Sequence, residues 1–413
     1  MLKNIIISIF LLIAGISLAQ EGTISPYSFY GIGTLKFKGS AENRSMAGIS
    51  IYSDSIHLSM QNPAGVADLR LVNYSVGGSH KYVTQQTAAE KRKASTTSMD
   101  YLAIGIPMGK MGVGFGLVPY TSVGYSLRSI NENTTSEYSG FGGLNKAFLS
   151  LGYRVTSKFN IGAELNYNFG NIENTTISSE EGIEYATREI NKSDLLGFNF
   201  IFGASYKTMV SENLQLSTSL SYSPETDFNS ENNRKIATVL VTSGGGIGVV
   251  VEEDIPVEDT DLTFPSQITF GTGIGTPKHW FVGVEYSAQK TSNFTNRTFD
   301  ISDVEFTNAS KYRIGGFYIP NYNSIGNYWK RVVYRAGFRY EGTGLKISGQ
   351  DINEFGISFG VGLPVGRLFS NINLGIEIGK RGTKDFGLIQ ENFFNTFLSL
   401  SLNDKWFEKR YYD

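Results

Sequence analysis

Phe159-Asn160-Ile161-Gly162-Ala163-Glu164-Leu165-Asn166-Tyr167-Asn168-Phe169 alternates strictly between two kinds of side chain. Successive side chains of an extended strand point to opposite faces. One face of this stretch is therefore Phe159, Ile161, Ala163, Leu165, Tyr167 and Phe169, and the other is Asn160, Gly162, Glu164, Asn166 and Asn168. The pattern recurs at 332–340, 354–363 and 371–379; in the last of these, Ile372, Leu374, Ile376 and Ile378 oppose Asn371, Asn373, Gly375 and Glu377. Each run holds about ten residues, the length a tilted strand needs to cross the hydrocarbon layer. A soluble sandwich also alternates. Here the polar faces are rich in charge and glycine, as a crowded wet lumen requires, and aromatics sit near strand ends (Tyr101, Phe159, Phe169, Trp280, Tyr286) as in an interfacial girdle.

The reading is an all-β fold, an antiparallel transmembrane β-barrel of about fourteen strands. The expected strands are 71–83, 98–107, 111–122, 145–155, 159–169, 196–207, 213–223, 264–275, 280–290, 310–319, 331–340, 353–363, 371–380 and 393–402. Short turns (108–110, 156–158, 208–212, 276–279, 364–370) alternate with long polar loops (84–97, 123–144, 170–195, 224–263, 291–309, 341–352, 381–392), which assigns the turns to the periplasm and the loops to the exterior. The link 320–330 is long for a turn. Sixteen strands is the competing count, because Ile236–Val241 and Ile247–Val251 could form one more hairpin within 224–263.

Composition agrees with this. The 413 residues include 47 Gly, 13% aromatics and no Cys, with a net charge of −2 that gives no reason to expect a nucleic-acid partner. The first nineteen residues read as a secretory signal peptide: Lys3, an apolar run Ile5–Leu18, then small residues at Ser17 and Ala19. Without a Cys at the cleavage site, a lipid anchor there is excluded. No later stretch approaches the ~20 apolar residues of a membrane helix. The domain reading is signal peptide 1–19, N-terminal plug 20–70, barrel 71–402 and a short charged periplasmic tail 403–413.

Residues 20–70 do not alternate. They carry Asn62-Pro63-Ala64-Gly65, a turn in which Asn caps, Pro presets φ and Gly permits φ > 0. Such turn chemistry suits a folded plug inside a barrel lumen better than a disordered leader. In the third expected strand, Pro119 within Val118-Pro119-Tyr120 cannot donate to a ladder, so it marks either a strand end or a local opening of the wall.

Other motifs fall away in context. Gly356-Ile357-Ser358-Phe359-Gly360 has nucleophile-elbow spacing but lies inside an alternating strand with no helix after it. Gly244-Gly245-Gly246-Ile247-Gly248 lacks the Lys-Ser/Thr of a phosphate loop. His57, His80 and His279 are scattered, so a zinc site is unsupported, and neither an enzyme nor a cofactor is expected. Lys91-Arg92-Lys93 reads as a solvated loop tip, with anionic headgroups as the alternative contact.

A glycine-rich N-terminal segment with Asn62-Pro63-Ala64 before the first strand resembles the FadL-type family of outer-membrane transporters. Phe141-Gly142-Gly143-Leu144, Leu262-Thr263-Phe264-Pro265, Phe270-Gly271 and Trp280 extend the resemblance over most of the chain. It implies fourteen strands, an N-terminal hatch, a kinked third strand that opens a side exit, and passive uptake of small hydrophobic compounds such as fatty acids by a monomeric barrel in the outer membrane. PorV-like barrels are similar and imply the alternative, a partner or shuttle in protein secretion. One departure is the C-terminus, where the strand of Phe394, Thr396, Leu398, Leu400 and Leu402 is followed by a charged tail that includes Trp406 and Phe407.

Overall fold

A computed structural model describes residues 22–131, 133–242, 246–293, 304–365 and 370–405. The expected signal peptide, residues 1–19, and the end of the tail, with Trp406 and Phe407, lie outside the described residues. Fourteen antiparallel strands form the wall. They are β1 (Val72–Gln86), β2 (Lys91–Met108), β3 (Met111–Pro119, resuming as Thr121–Asn131), β4 (Thr134–Arg154), β5 (Phe159–Glu180), β6 (Tyr185–Met209) and β7 (Gln215–Ser223 and Thr226–Val241). There follow β8 (Ile247–Ile255, Thr260–Phe264 and Gln267–Thr276), β9 (Trp280–Gln289), β10 (Ala309–Tyr318), β11 (Val333–Ile347), β12 (Gln350–Val365), β13 (Ser370–Arg381) and β14 (Gln390–Asp404). β14 pairs back onto β1, from Val72 opposite Asp404 to Gln86 opposite Gln390, so the sheet closes. No helix of the described residues is long and apolar enough to cross a membrane.

The faces are sorted the opposite way from a soluble sheet. On β12, Phe355, Ile357 and Phe359 are exposed (Phe359 50%), while Glu354 and Ser358 are buried. On β5, Leu165 and Tyr167 are exposed while Glu164, Asn166 and Asn168 are buried, Glu164 at 1%. Apolar residues outside and charged residues inside make physical sense only where lipid replaces water around the wall. Of the charges that alternation places on the inner face, Glu164, Glu285, Arg335 and Glu377 are buried there, and Arg339 is half-buried and paired with Glu377.

Two expectations need correction. The stretches 84–97, 123–144, 170–195, 224–263 and 341–352 are not loops. Most of their residues continue the strands, leaving tight hairpin tips such as those at 87–90 and 181–184. Strict alternation marks only the part of a strand that meets lipid on one side. Beyond the membrane both faces can meet water, and stretches such as Thr134-Thr135-Ser136 lose the pattern while keeping the ladder. Ile236–Val241 and Ile247–Val251 do form a hairpin, but it lengthens β7 and β8 and adds nothing to the count of fourteen. The second correction is Tyr101, expected at the girdle. A register shift at Gly77/Gly78 on β1 lets it turn inward, where it is 2% exposed and its Oη accepts from the Ala41 N–H. The 320–330 link contains no strand. It runs into a 3-10 turn, Tyr328–Arg331, capped by Asn327.

Residues 22–70 pack against these inward faces. They include a 3-10 turn (Pro26–Phe29), a two-residue strand (Thr34–Leu35), the helix α1 (Ala41–Ser45) and a second 3-10 turn (Pro63–Asp68).

Candidate functional site

The second of those 3-10 turns opens on the Asn62-Pro63-Ala64-Gly65 motif, with Asn62 as its cap. The Asn62 side chain accepts from the Ala64 N–H at 3.0 Å, and the Gly65 N–H donates to the Asn62 carbonyl at 3.0 Å. Asn62 Nδ2 also donates to the carbonyls of Ala204 on β6 (3.2 Å) and Leu220 on β7 (3.3 Å), which ties the turn to the wall. Gly203 on β6 makes that approach feasible, since a Cβ there would overlap Asn62 Oδ1 and the Pro63 ring.

Side chains around the wall hold the rest of the segment. Lys38 pairs with Glu164 on β5 at 2.5 Å. Arg44 of α1 reaches Asp100 on β2 and Glu377 on β13, each at 3.3 Å. The N–H and Oγ of Ser50 donate to Glu285 on β9 at 2.7 and 2.6 Å, and Arg313 on β10 closes on the same carboxylate at 2.6 Å. The Ala47 N–H donates to Ser358 Oγ at 2.9 Å, so the serine of the elbow-like motif serves as a structural acceptor on a strand. Asp68 collects Lys207 at 2.6 Å and Arg154 at 3.3 Å.

The β2–β3 seam is different. Its ladder runs only from Met108 opposite Met111 to Leu102 opposite Leu117, seven pairs, whereas the β4–β5 ladder has twenty-one. Crossing the hydrocarbon takes about nine to eleven tilted residues, so this ladder is shorter than a full membrane crossing. Pro119 stands just past the last pair. Beyond it β3 bulges: Pro119 is opposite Asn145 and Val123 opposite Gly142, three residues facing two. The Tyr120 N–H bonds the Leu144 carbonyl at 2.7 Å across the bulge, and the Leu144 N–H bonds Thr121 Oγ1 at 3.1 Å.

The β3 edge exposed by this break is covered from within. Thr34 and Leu35 pair with Ser122 and Thr121, and the Lys36 N–H donates to the Tyr120 carbonyl at 2.9 Å. Ser28 Oγ donates to the Gly124 carbonyl at 3.2 Å. Gly33, at φ +91°, permits this contact, because a Cβ there would strike Ser122. The edge of β2 outward of Tyr101 has no strand on that side among the described residues.

Behind the seam is a cavity of about 270 Å³. Ile32, Leu35, Tyr120 and Phe264 give it an apolar wall, and Lys36, Lys81, Arg339, Glu354 and Glu377 a charged one. Burial drives the Lys36 ammonium down to about 8, against the opposing pull of Asp100, and its Nζ donates to the Gly22 carbonyl. Lys146 on β4, 2% exposed, lies with Nζ 4.0 Å from the centre of the Tyr120 ring and has no ion pair among the described residues.

Val118, Pro119 and Tyr120 thus sit just past the last β2–β3 pair, on a strand that keeps its pairing with β4. Asn62–Gly65 lies apart from it, as an anchor against β6 and β7. Two features escaped the sequence reading. Thr34–Leu35 is too short to register as a strand, and Lys146 sits buried against the Tyr120 ring with no carboxylate paired to it among the described residues, which sequence alone does not reveal. Among the described residues there is no cluster of three or more His, Asp or Glu suited to a metal.

No curated protein matches the chain. Solved structures with the same fold include the Pseudomonas putida toluene transporter TodX, 15% identical with TM-score 0.60 over 89% of this chain and 98% of that one. The Ralstonia pickettii toluene transporter TbuX is 14% identical, with TM-score 0.58 over 89% and 99%. A FadL homologue of Pseudomonas aeruginosa is 11% identical, with TM-score 0.57 over 89% and 98%. At these identities the likeness establishes the barrel architecture. The BamG family model matches residues 1–413, and the chain belongs to that family.

Proposed function

We propose that this protein is an outer-membrane barrel that admits small hydrophobic compounds passively and releases them sideways at the β2–β3 seam. In this reading residues 1–19 are a cleaved export signal and residues 20–70 a luminal plug. The observation that carries it is the short seam ladder, which ends at Leu102 opposite Leu117, with residues 28–36 lining the β3 edge beyond it. An apolar solute cannot cross the polar outer leaflet surface unaided. A gap in the wall lets it pass into the bilayer without entering the periplasm. Tyr120, Leu35, Ile32 and Phe264 offer such a solute an apolar surface behind the gap. Toluene, transported by the two structural neighbours named for it, is the natural first probe.

The test uses the Cys-free background. Leu35→Cys with Thr121→Cys places thiols on partner residues across the covering strand. Oxidation should stop toluene-dependent growth or uptake, and reduction should restore it. Uptake that is indifferent to the cross-link would sink the proposal.

A protein-binding role in secretion is the second reading. What favours it is the reach of β4 to β8 past the membrane, together with the ion pairs that pin residues 38–68 to the wall. Copurification of a stoichiometric partner with the oxidised, transport-dead variant would support it.

A further inference from the structure

The outer end of β8 is an uncovered edge. Ile247–Ile255 pairs with β7 from Val241 opposite Ile247 to Arg234 opposite Ile255, and β7 is backed in turn by β6 over Asn229–Leu240. On its second side Ile247–Ile255 has no partner among the described residues, because β9 pairs with β8 only over Gln267–Thr276. Val251 lies 25 positions along the chain from Thr276 at the turn end of β8. Since about ten residues cross the hydrocarbon, this edge stands well clear of lipid.

Edge strands are ordinarily guarded by Pro, Lys, a strong bulge or short length. This one has a bulge at Val250, between Val249 opposite Val239 and Val251 opposite Thr238, yet it presents Val249-Val250-Val251 in succession, all exposed, with Val251 at 63%. Acids follow: Glu252, Glu253 and Asp254, then Glu258, Asp259 and Asp261. Arg188 and Lys235 answer Glu252, and Lys235 also reaches Asp254, but Glu253 has no ion pair among the described residues. The edge therefore combines free backbone donors and acceptors, a β-branched patch and an excess of negative charge.

We propose that Ile247–Ile255 is a strand-addition site on the external face, and that its partner is an extended polypeptide segment with basic residues followed by an apolar stretch. Run antiparallel, such a segment sets Lys or Arg near Glu252–Asp254 and β-branched residues opposite Val249–Val251. Backbone hydrogen bonds would supply the affinity and the acids the selection. This site is separate from the seam and does not rest on the transport reading.

The test is fluorescence anisotropy on the full-length protein in detergent micelles. The probe is a short labelled peptide with basic residues at its N-terminal end, then alternating valine and threonine. Saturable binding is expected. It should weaken roughly ten-fold, about what one net backbone hydrogen bond is worth, when consecutive peptide nitrogens are methylated. Val250→Pro should weaken it similarly. Glu253→Lys, at an exposed position that leaves the ladder intact, should weaken it at low salt only. Heat-modifiable migration on gels checks that each variant is folded. Absence of binding, equal binding of the methylated peptide, indifference to both variants, or a concentration-dependent dimer joined through this edge would each overturn the proposal.

Discussion

Residues 38–68 and residues 34–36 belong to one continuous segment, yet the barrel holds them by different means. The longer stretch is fixed by side chains that reach carboxylates, ammonium groups and carbonyls on β2, β5, β6, β7, β9 and β13. The shorter one is fixed by a few backbone pairings to the bulged edge of β3. Buried charge pairs are costly to break, because the partner left behind keeps its desolvation penalty. A short stretch of edge ladder is cheap to break, because each backbone bond contributes only about 0.5–1.5 kcal/mol net. The segment is thus anchored along most of its length and weakly latched where the β2–β3 ladder ends.

The largest test of that contrast is at Glu285, whose side chain is wholly buried and accepts from Ser50 twice and from Arg313. Glu285→Ala strands the Arg313 guanidinium and should cost about 3–5 kcal/mol. Leu35→Ala, at a partly exposed position on the latch, should cost about 0.5 kcal/mol or less. Equilibrium guanidinium unfolding in phospholipid vesicles reads both. Equal losses would erase the distinction between anchor and latch.

The wall itself provides the next test. Ile376 lies on the outer face of β13, within a ladder complete on both sides, while Leu102 is at the last pair of the β2–β3 seam. Ile376→Arg should cost about 2–4 kcal/mol, as cations do near the midplane of a barrel's lipid face. Leu102→Arg should cost measurably less, because its guanidinium can turn past the end of the ladder towards Asp100. Equal costs in the same unfolding assay would mean that lipid seals the seam as tightly as any other.

What the sequence makes legible follows the same division. Strict alternation in Phe159–Phe169 and 371–379 reveals the wall and its inner charges, because lipid on one face and a crowded lumen on the other impose opposite demands on neighbouring residues. Asn62-Pro63-Ala64-Gly65 is readable as a turn because turn chemistry is local. Its grip on Ala204 and Leu220 is not, since those contacts are set by tertiary approach across more than a hundred residues. Pro119 signals that a ladder ends, but a strand end and a wall break look alike until the partner strand is seen. The outer halves of β4 to β8 escape notice because polar residues on both faces leave no period to detect.

The smallest effect, and the most specific, is expected at the anchored end of the same segment. His57 Nδ1 is 2.7 Å from Asp54 Oδ2, Nε2 is 3.6 Å from Glu42, and Asn371 of β13 is 3.4 Å away, with Arg335 close enough to oppose protonation. Burial lowers the His57 pKa, but Asp54 and Glu42 outweigh it, and the net shift is upward from 6.5. Burial pushes Asp54 up, and the imidazolium together with the N–H groups of Ile56 and His57 outweighs it, holding the carboxyl at about 2. A raised His pKa stabilises fully below 6.5, and that stabilisation fades as pH rises through the higher folded value. The depressed Asp54 stabilises above 3.8, and that contribution is lost as pH falls through about 2. The pair is therefore worth most between about pH 4 and 6.5. His57→Gln should destabilise more at pH 5 than at pH 9, where the neutral ring has already lost its charge. Leu35→Ala at the latch, which carries no titrating group, should show the same small cost at both. A His57→Gln deficit that is flat with pH, or larger at pH 9, would show that the ring is held for its shape, and the charge clamp would lose one of its members.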